Sequence, residues 1–546
     1  MRAPARPKQA RLSKTKTFPA PRRGWVRNEN LVKPGAEGAS VLDNFFPTAT
    51  GVRIRRGYEH YATVGVITAP FASDAFDADA FAATDSDPTT ITAIMTYNAG
   101  GAAKVFAATS SYISDITSVA DPDVPPTPDV TGLGGDDWVS TQFQNSGGDI
   151  YLVAVNGVDD RHLFDGSSWA TTPAITGTTA LFSHVWAYKK RLFFVEKNTM
   201  SAWYLAVDAI GGAATEFPLG GVFRLGGSLL FGATWSLDSG IGLTDTCVFV
   251  TTEGEVAVYE GTNPGDAAEW ALKGVYRIGR PLSKRAHTKA GGDLAVATDA
   301  GLVPISQAVQ KDQAALSASA ISYPIEEEWK YEALRRRASG SWSLEMWPTQ
   351  QMMIVGLPTY GTSLDPVCLV VNIRTGAWAR YTGWDTQCLG LYGDRMLFGS
   401  ADGCIYEAEV TGSDNGVPYT ATYIGLFEDM GALAAYKTVH LSRPTFLTLA
   451  ETNAQAFVAV DYVPTAPNAP DAAADSGSAS VWGTGVWGTS TWGESATQYR
   501  EAKWVPVYGT GFAIAPGVQV TIGSVAAPDT DLVSTDLQYE IGETVL

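Results

Sequence analysis

The sequence has few of the residues from which metal and disulfide sites are usually built. Its 546 residues include five histidines and four cysteines, and the cysteines are Cys247, Cys368, Cys388 and Cys404. They show neither CxxC spacing nor the density of a disulfide-stabilised fold, so we expect reduced core thiols made in a cytoplasm. The histidines are scattered and form no HExxH motif, which argues against a structural zinc site.

Other absences exclude further classes of protein. No stretch approaches about 18 uninterrupted apolar residues, so no transmembrane helix is predicted. The basic residues near the N-terminus are not followed by an apolar segment, and we expect no secretory signal peptide. Neither a GxSxG nucleophile elbow nor a Walker phosphate loop occurs. We therefore predict no catalytic, cofactor-binding or metal-binding residues, and a protein that is not an enzyme.

What the chain does have is turn formers and aromatic residues. It contains 56 Gly, 29 Pro, 16 Trp, 22 Tyr and 21 Phe, which favours many short strands joined by tight turns. The stretch 246–306 shows the pattern most clearly, because it holds two apolar hairpins whose turns are at Gly254 and Gly301. Similar pairs recur at roughly the length of a four-stranded propeller blade. We predict an all-β fold built on a β-propeller of six to eight irregular blades, with a stack of β-sandwiches as the alternative.

Changes of composition predict three regions. Residues 1–57 are expected to form an extended basic N-terminal arm and an edge strand, and residues 58–422 the propeller. Residues 423–546 have longer strands and are predicted to form a separate β-sandwich-like platform domain with a Trp-rich loop at 481–493.

A helical insertion is predicted near 324–338. Pro324 stands at its start, Glu326–Glu328 follow, and Arg335–Arg337 close it, so both ends complement the helix dipole. Ile325, Trp329 and Ala333 form one apolar stripe. We expect this helix to lie over the sheet, with a subunit contact as the alternative.

Charge is distributed unevenly along the chain. Residues 1–56 contain 13 Lys/Arg and three acidic residues, a net +10, which leaves −29 for the other 490 residues. A basic arm on an acidic body is typical of a segment that contacts nucleic acid, an acidic partner or a neighbouring copy, and a solvated tail is the alternative. The candidate contact residues in this region are Arg22, Arg23, Arg27, Arg53, Arg55 and Arg56. For Arg53 and Arg55, an edge strand with arginines facing water is the other interpretation.

Two further segments suggest contacts. Trp482, Trp487 and Trp492 recur every five residues, each followed by glycine, which is neither a helical nor a strand period. We expect a loop whose tryptophans pack either on the protein's own surface or on a partner. The Asp-rich segment 71–88 resembles a calcium loop only weakly, because it lacks the glycine and final glutamate of an EF-hand.

A glycan-directed propeller, either a lectin-like receptor binder or a glycosidase, is the main alternative function. Ser236–Gly240 matches the first half of the Asp-box turn found in sialidase-type propellers, but Leu243 occupies the aromatic position and the match occurs once. A cellular propeller scaffold is a third possibility. Such scaffolds carry sharper repeat motifs than this chain shows.

Three stretches together resemble a family of phage proteins. They are LDNFFPTATGVRIRRGY (42–58), the central segment 251–306, and the C-terminal segment GTGFAIAPGVQVTIGSVAAPDTDLVSTDLQYEIGETV. In their general sequence character, and not through any catalytic motif, they are similar to the tail nozzle, or tail hub, proteins of short-tailed phages (tail tubular protein B, or packaged-DNA stabilisation type).

The resemblance implies a structural protein of the virion tail, made in the host bacterial cytoplasm. It implies a homo-hexameric ring below the head-to-tail adaptor protein, with tail fibre or tailspike proteins as neighbours. Double-stranded DNA would pass through the channel without sequence-specific binding. The charge split fits this role, because a channel with excess negative charge lacks the cations whose phosphate contacts would hold the DNA.

Overall fold

The computed structural model describes residues 13–27, 37–65, 90–176, 179–238, 243–337, 340–359, 364–449, 452–472, 498–524 and 526–544. Strands account for 53% of the structure and helices for 6%, which confirms the all-β prediction. The chain divides into a smaller unit (1–59, 370–382 and 409–546) and a larger unit (60–369 and 383–408). No helix among the described ranges is long and apolar enough to cross a membrane.

The strands of the described residues are short and follow one another closely. The first twenty are β1 (Lys14–Pro19), β2 (Gly24–Trp25), β3 (Gly38–Asp43), β4 (Phe45–Pro47), β5 (Val52–Ile54), β6 (Gly57–Thr63), β7 (Ala93–Ala99), β8 (Ala102–Ala108), β9 (Tyr112–Asp115), β10 (Val130–Thr131), β11 (Val139–Gln144), β12 (Ile150–Val155), β13 (His162–Phe164), β14 (Trp169–Ala170), β15 (Ile175–Thr176), β16 (Phe182–Tyr188), β17 (Arg191–Glu196), β18 (Ser201–Tyr204), β19 (Gly212–Ala213) and β20 (Thr215–Pro218).

The remaining strands include the two longest, β36 and β41. They are β21 (Leu229–Asp238), β22 (Leu243–Thr251), β23 (Glu255–Gly261), β24 (Trp270–Arg277), β25 (His287–Ala290), β26 (Asp293–Thr298), β27 (Gly301–Pro304), β28 (Ser343–Trp347), β29 (Met352–Gly356), β30 (Val367–Asn372), β31 (Trp378–Thr382), β32 (Cys388–Tyr392), β33 (Arg395–Gly399), β34 (Cys404–Thr411), β35 (Tyr419–Gly425), β36 (Ala435–Thr448), β37 (Ala454–Val460), β38 (Tyr499–Ala502), β39 (Val505–Gly511), β40 (Ile514–Ile522) and β41 (Asp531–Thr544).

Helices are confined to one short region of the described chain, apart from a single 3₁₀ turn at Thr179–Leu181. They are α1 (Ile305–Gln310), α2 (Gln313–Leu316) and α3 (Glu326–Arg335), with further 3₁₀ turns at Ser317–Ser319 and Tyr323–Ile325.

The larger unit has a six-blade β-propeller arrangement, which confirms the propeller prediction. Five blades have four strands each: β7–β10, β11–β14, β16–β18 with β20, β21–β24, and β32–β34 with β6. The rest of the ring is formed by the three-stranded sheet β25–β27 and by β28, β29 and β30, with β25 and β28 in contact. Contacts between first strands close the ring, because β32 lies against both β28 and β7.

The blade β21–β24 shows why continuous apolar runs form these strands. Val248 and Val256 face one buried cluster, which also contains Val303 of the neighbouring three-stranded sheet. Phe249 and Ala257 face the opposite cluster, shared with the preceding blade. Because both faces of a central blade strand are buried, the sequence is apolar at successive positions instead of alternating.

Helix α3 lies where the helical insertion was predicted and packs by the predicted stripe. Ile325, Trp329 and Ala333 are buried, and the indole N–H of Trp329 donates to the carbonyl of Thr298 at 2.8 Å. Trp329 also lies beside Trp342, with ring centroids 5.7 Å apart. The helix therefore covers the edge of the three-stranded sheet.

The smaller unit contains both described ends of the chain. One sheet has the order β38-β36-β41-β5-β4, with β1 on β41 and β39 on β36. A second run of strands, β31-β2-β3-β35-β40-β37, belongs to the same unit. Side chains from both sets share one apolar cluster, which includes Phe18, Val439, Ile514 and Leu537. The role of this unit as a platform stays a proposal.

The bounds of the units differ from the predicted domains. Residues 370–382 and 409–422, predicted within the propeller, belong to the smaller unit. The physical reason is strand pairing: β31 pairs with β2 and β3, and β35 pairs with β3 and β40. Lys14–Pro19 of the predicted arm form a strand along β41, whereas residues 1–12 lie outside the described residues.

Candidate binding cavity on the propeller axis

A cavity of about 470 Å³ lies where the first strands of the ring converge. Strands β7, β11, β16, β21, β25, β28 and β32 each contribute to its wall, for example through Ile94, Thr141, Trp186, Thr234, Thr288, Glu345 and Leu389. Since every sheet of the ring presents its first strand here, residues distant in sequence meet on this axis.

Two adjacent cations lie in the cavity wall beside a single carboxylate. Lys284 is 5% exposed, and its ammonium donates to the carbonyl of Ser183 at 2.7 Å and lies 3.2 Å from Asp137 Oδ2. Arg285 Nε is 3.5 Å from Asp137 Oδ1, and its guanidinium also donates to the carbonyl of Thr92. One carboxylate therefore faces two positive charges.

Burial and charge act in opposite directions on this cluster. Burial alone would raise the pKa of Asp137, but Lys284 and Arg285 hold that pKa below its usual value. Burial lowers the pKa of Lys284, and Asp137 opposes this change. At neutral pH the carboxylate is ionised, and it faces two basic side chains of the cavity wall.

Two histidines line the same cavity. His184 is 2% exposed, and burial, with His287 and Lys284 adding to the effect, lowers its pKa well below the usual value. The ring of His287 stacks on Phe231 with centroids 4.3 Å apart and an interplanar angle of 1°. Burial lowers the pKa of His287 to about 4. Both rings are therefore neutral at pH 7 and each has one donor and one acceptor nitrogen.

Glu345 on β28 supplies a further carboxyl group to the cavity wall. Burial raises its pKa to about 7, and a hydrogen bond from the backbone of Met346 only partly offsets this effect. The side chain is therefore partly protonated at neutral pH. It contributes less negative charge than its sequence identity suggests.

Several buried polar atoms around the cavity lack a hydrogen-bond partner among the described residues. They are Nε1 of Trp138, Nδ1 of His184 and Oγ of Ser343. Trp138, His184 and Ser343 are at least nine-tenths buried. Polar groups buried this deeply are normally paired, so their concentration at one cavity points to a bound group or water.

Nothing local in the sequence predicts this site. Asp137 lies in a GGDD segment (134–137), where acidic residues are ordinary turn formers, and Lys284 and Arg285 belong to no motif. Their proximity is set by the ring closure of the propeller and leaves no local pattern. Among the described residues, no group of three His, Cys, Asp or Glu side chains could hold a metal ion.

The predicted contact arginines lie in the smaller unit. Arg22, Arg23 and Arg27 are exposed, and Arg22 pairs with Glu37. Arg53 and Arg56 are partly buried near Glu409 Oε2, which accepts from Arg53 Nη1 at 3.0 Å and from the backbone N–H of Arg56 at 3.2 Å.

Arg55 is fully buried, so neither a water-facing edge strand nor an exposed contact surface describes its position. The three arginines Arg53, Arg55 and Arg56 are brought together, but around internal carboxylates. Trp482, Trp487 and Trp492, and the Asp-rich segment 71–88, lie outside the described residues.

The four cysteines are buried, which confirms the prediction of core positions for their thiols.

The chain matches no protein-family model and no curated protein. Many solved structures are similar in part, among them the following three. The computationally designed Ika8 protein is 10% identical, with 64% of this chain and 100% of that chain covered and a TM-score of 0.33. Raptor from Chaetomium thermophilum is 10% identical over 65% of this chain and 29% of its own, with a TM-score of 0.38. BBS1N, solved in complex with ARL6DN, is 8% identical over 66% of this chain and 99% of its own, with a TM-score of 0.36. Similarities at these TM-scores have no bearing on function.

Proposed function

We propose that this protein is a structural component of the tail of a short-tailed phage. It forms the nozzle or hub, a homo-hexameric ring below the head-to-tail adaptor. Its acidic channel retains double-stranded genomic DNA and conducts it during ejection. Tail fibre or tailspike proteins are its other neighbours in the virion.

The observation that carries the proposal is the pairing of two stretches that resemble the nozzle family. Strand β5, within 42–58, pairs antiparallel with β41, within the C-terminal stretch, and Leu532 lies opposite Val52. Both residues are fully buried. Segments separated by most of the chain thus form one structural element, which supports treating them together as a family feature.

The central resembling stretch has an equally structural role. Residues 251–306 provide strands β23 to β27 of the propeller. Val256 and Val303, from its two hairpins, pack in the same buried cluster. The resemblance therefore rests on residues that build the fold, as expected for a protein whose function is to form a wall.

The distribution of charge supports the same role. The exposed Arg22, Arg23 and Arg27 lie in a segment of net +10, and the rest of the chain has a net charge of −29. Binding to DNA through cations releases counterions and is tight at low salt, and an acidic channel lacks that source of affinity. The basic segment then suits an acidic neighbour, either the adaptor or another copy.

The oligomeric state is the direct test. We expect mass photometry and negative-stain electron microscopy of the full chain, alone or mixed with a short-tailed-phage adaptor protein, to show a sixfold ring. Mobility-shift assays with duplex DNA at 50 and 200 mM salt should show no tight, salt-sensitive complex. A protein that stays monomeric with the adaptor and cleaves polysaccharide would overturn the proposal.

A charge variant tests the role of the basic segment. Replacing Arg22, Arg23 and Arg27 together by Gln should weaken ring or adaptor association about tenfold at low salt, and less at high salt, because exposed charges are screened. The matched control is Lys273→Gln, which removes an exposed cation of the propeller that pairs with Glu260. Equal loss in both variants would argue against a specific basic contact.

A further inference from the structure

We propose that the axial cavity of the propeller binds a small polyhydroxylated acid, such as a hexuronate. Its carboxylate would lie against Lys284 and Arg285, and its hydroxyl groups against Ser343, His184 and Trp138. The cavity belongs to the propeller itself, so this inference goes beyond the virion role and does not depend on it.

The charge of the wall selects an anionic ligand. The chain as a whole has a net charge of −19, yet the cavity wall places Lys284 and Arg285 together with a single fully ionised carboxylate, Asp137. Lys289 also lines the cavity but is exposed to solvent, and Glu345 is partly neutral. A buried cation that no carboxylate offsets is costly, and an anionic ligand would supply the missing charge.

The unpartnered groups select a ligand with several hydroxyls. Trp138 Nε1 can only donate, whereas Ser343 Oγ and the neutral imidazole of His184 can donate or accept. A sugar hydroxyl does both, so one ring with several hydroxyls can satisfy groups on different blades. Leaving these buried atoms unpaired would be unfavourable.

The size of the cavity suits a ligand larger than a bare inorganic anion. About 470 Å³ lies within the range of roughly 300–1,000 Å³ that small-molecule sites occupy. Phosphate or sulfate would meet the two cations but would leave Ser343 and His184 without partners. A sugar acid reaches both sets of groups at once.

Isothermal titration calorimetry of the full-length protein tests the proposal with three probes. D-Glucuronate has the acid and the hydroxyls, D-glucose has the hydroxyls alone, and inorganic phosphate has the charge alone. We expect glucuronate to bind at least tenfold more tightly than either of the other two. Equal affinity for phosphate, equal affinity for glucose, or no binding of glucuronate would each overturn the proposal.

Two variants assign the binding to this cavity. Ser343→Ala removes a hydroxyl with no internal partner and should weaken glucuronate binding about threefold to tenfold with little loss of stability. Arg285→Gln should weaken it more and should bring glucuronate close to glucose. The control Lys273→Gln should bind like the parent protein.

If Arg285→Gln fails to fold, Ser343→Ala alone decides the outcome, and unchanged affinity in this variant overturns the assignment. Mass photometry on the same samples tests the nozzle proposal separately from the proposal that the cavity binds a sugar acid. A ring that does not bind glucuronate rejects the cavity assignment alone, and a monomer that binds it rejects the nozzle alone.

Discussion

The guanidinium of Arg55 holds both carboxylate oxygens of Asp414, with Nη1–Oδ1 at 2.7 Å and Nη2–Oδ2 at 2.6 Å. These residues are 359 positions apart in the sequence. The other three N–H bonds of Arg55 point to the Asn44 side chain and to the backbone carbonyls of Thr382 and Arg56. All five N–H donors of this fully buried guanidinium are therefore paired, which fixes the backbone that leads into β6.

Removing the acid of this pair should destabilise the smaller unit strongly. Asp414→Ala leaves the buried Arg55 with an uncompensated charge, and we expect a loss of about 3–5 kcal/mol in the free energy of unfolding. The matched control is Glu37→Ala, whose partner Arg22 is 44% exposed and should contribute less than about 1 kcal/mol. Guanidinium chloride unfolding followed by tryptophan fluorescence measures both. Similar midpoints for the two variants would contradict the prediction.

Glu345 should make the propeller less stable as the pH rises. Burial raises its pKa from 4.5 to about 7, so the folded state favours the protonated form. The stabilising effect of the proton is complete below the unfolded pKa and is lost as the pH rises through about 7. Glu345→Gln should therefore raise the melting temperature more at pH 8 than at pH 5. The corresponding difference in the free energy of unfolding should be up to about 3 kcal/mol. A gain that does not depend on pH would argue against this.

The buried His184 should act in the opposite direction. Its pKa is lowered well below 6.5 in the folded protein, so its neutral form is favoured and stability is complete above the unfolded pKa. Stability should fall as the pH drops below about 6.5, by roughly 1.4 kcal/mol per pH unit at most. The melting temperature of His184→Gln should fall less between pH 7 and pH 5 than that of the parent.

Both proteins in this comparison should also carry Glu345→Gln. Glu345 and His184 change stability in opposite directions with pH, so the ionisation of Glu345 would otherwise hide part of the effect of His184. The control is His440→Gln, because the His440 side chain is 47% exposed. If His184→Gln and His440→Gln show the same change with pH, the histidine in the cavity does not carry the effect.

The cysteines should react with iodoacetamide in an order set by their burial. Cys247 is fully buried and burial raises its thiol pKa, and burial raises the pKa of Cys388 to about 11. Cys404 keeps 9% exposure, so it should be the first of these three to be labelled at pH 8. Peptide mass spectrometry of native samples measures this order, and denatured protein should react at all of them. Labelling of Cys247 as fast as Cys404 would contradict the prediction.

The sequence predicted the local elements well, because each is specified by neighbouring residues. The runs around Val248 and Val256 indicated blade strands, and the stripe of Trp329 and Ala333 indicated the helix that covers the three-stranded sheet. These patterns depend on which faces are buried, and a period of apolar residues records that directly.

What the sequence did not reveal depends on contacts between distant residues. Arg55 reads as part of a basic strand face, and only the fold brings Asp414 to it. Asp137 and Lys284 likewise meet only when the ring of blades closes. A buried charge has the same sequence signature as an exposed one until its partner is known, so both the Arg55 pair and the axial cavity required the structure.

Two glycine turns in the propeller test how tightly its sheets are joined. Gly254 connects β22 and β23 with φ at +82°, and a Cβ there would lie 2.1 Å from the carbonyl oxygen of Gly279. Gly291 connects β25 and β26 with φ at +66°, and a Cβ there would have no atom within 4 Å. Both substitutions by alanine meet the penalty for left-handed backbone, about 1–2 kcal/mol.

Only Gly254→Ala must also push apart two backbone segments of neighbouring turns. We therefore expect Gly291→Ala to lose about 1–2 kcal/mol of stability and Gly254→Ala to lose about 3 kcal/mol or more, since a backbone carbonyl cannot move aside as a flexible side chain does. Thermal unfolding of the two variants and the parent measures the difference. Equal losses would mean that the turn at Gly254 can shift freely, and that the close approach of Gly279 does not hold the blade β21–β24 in place.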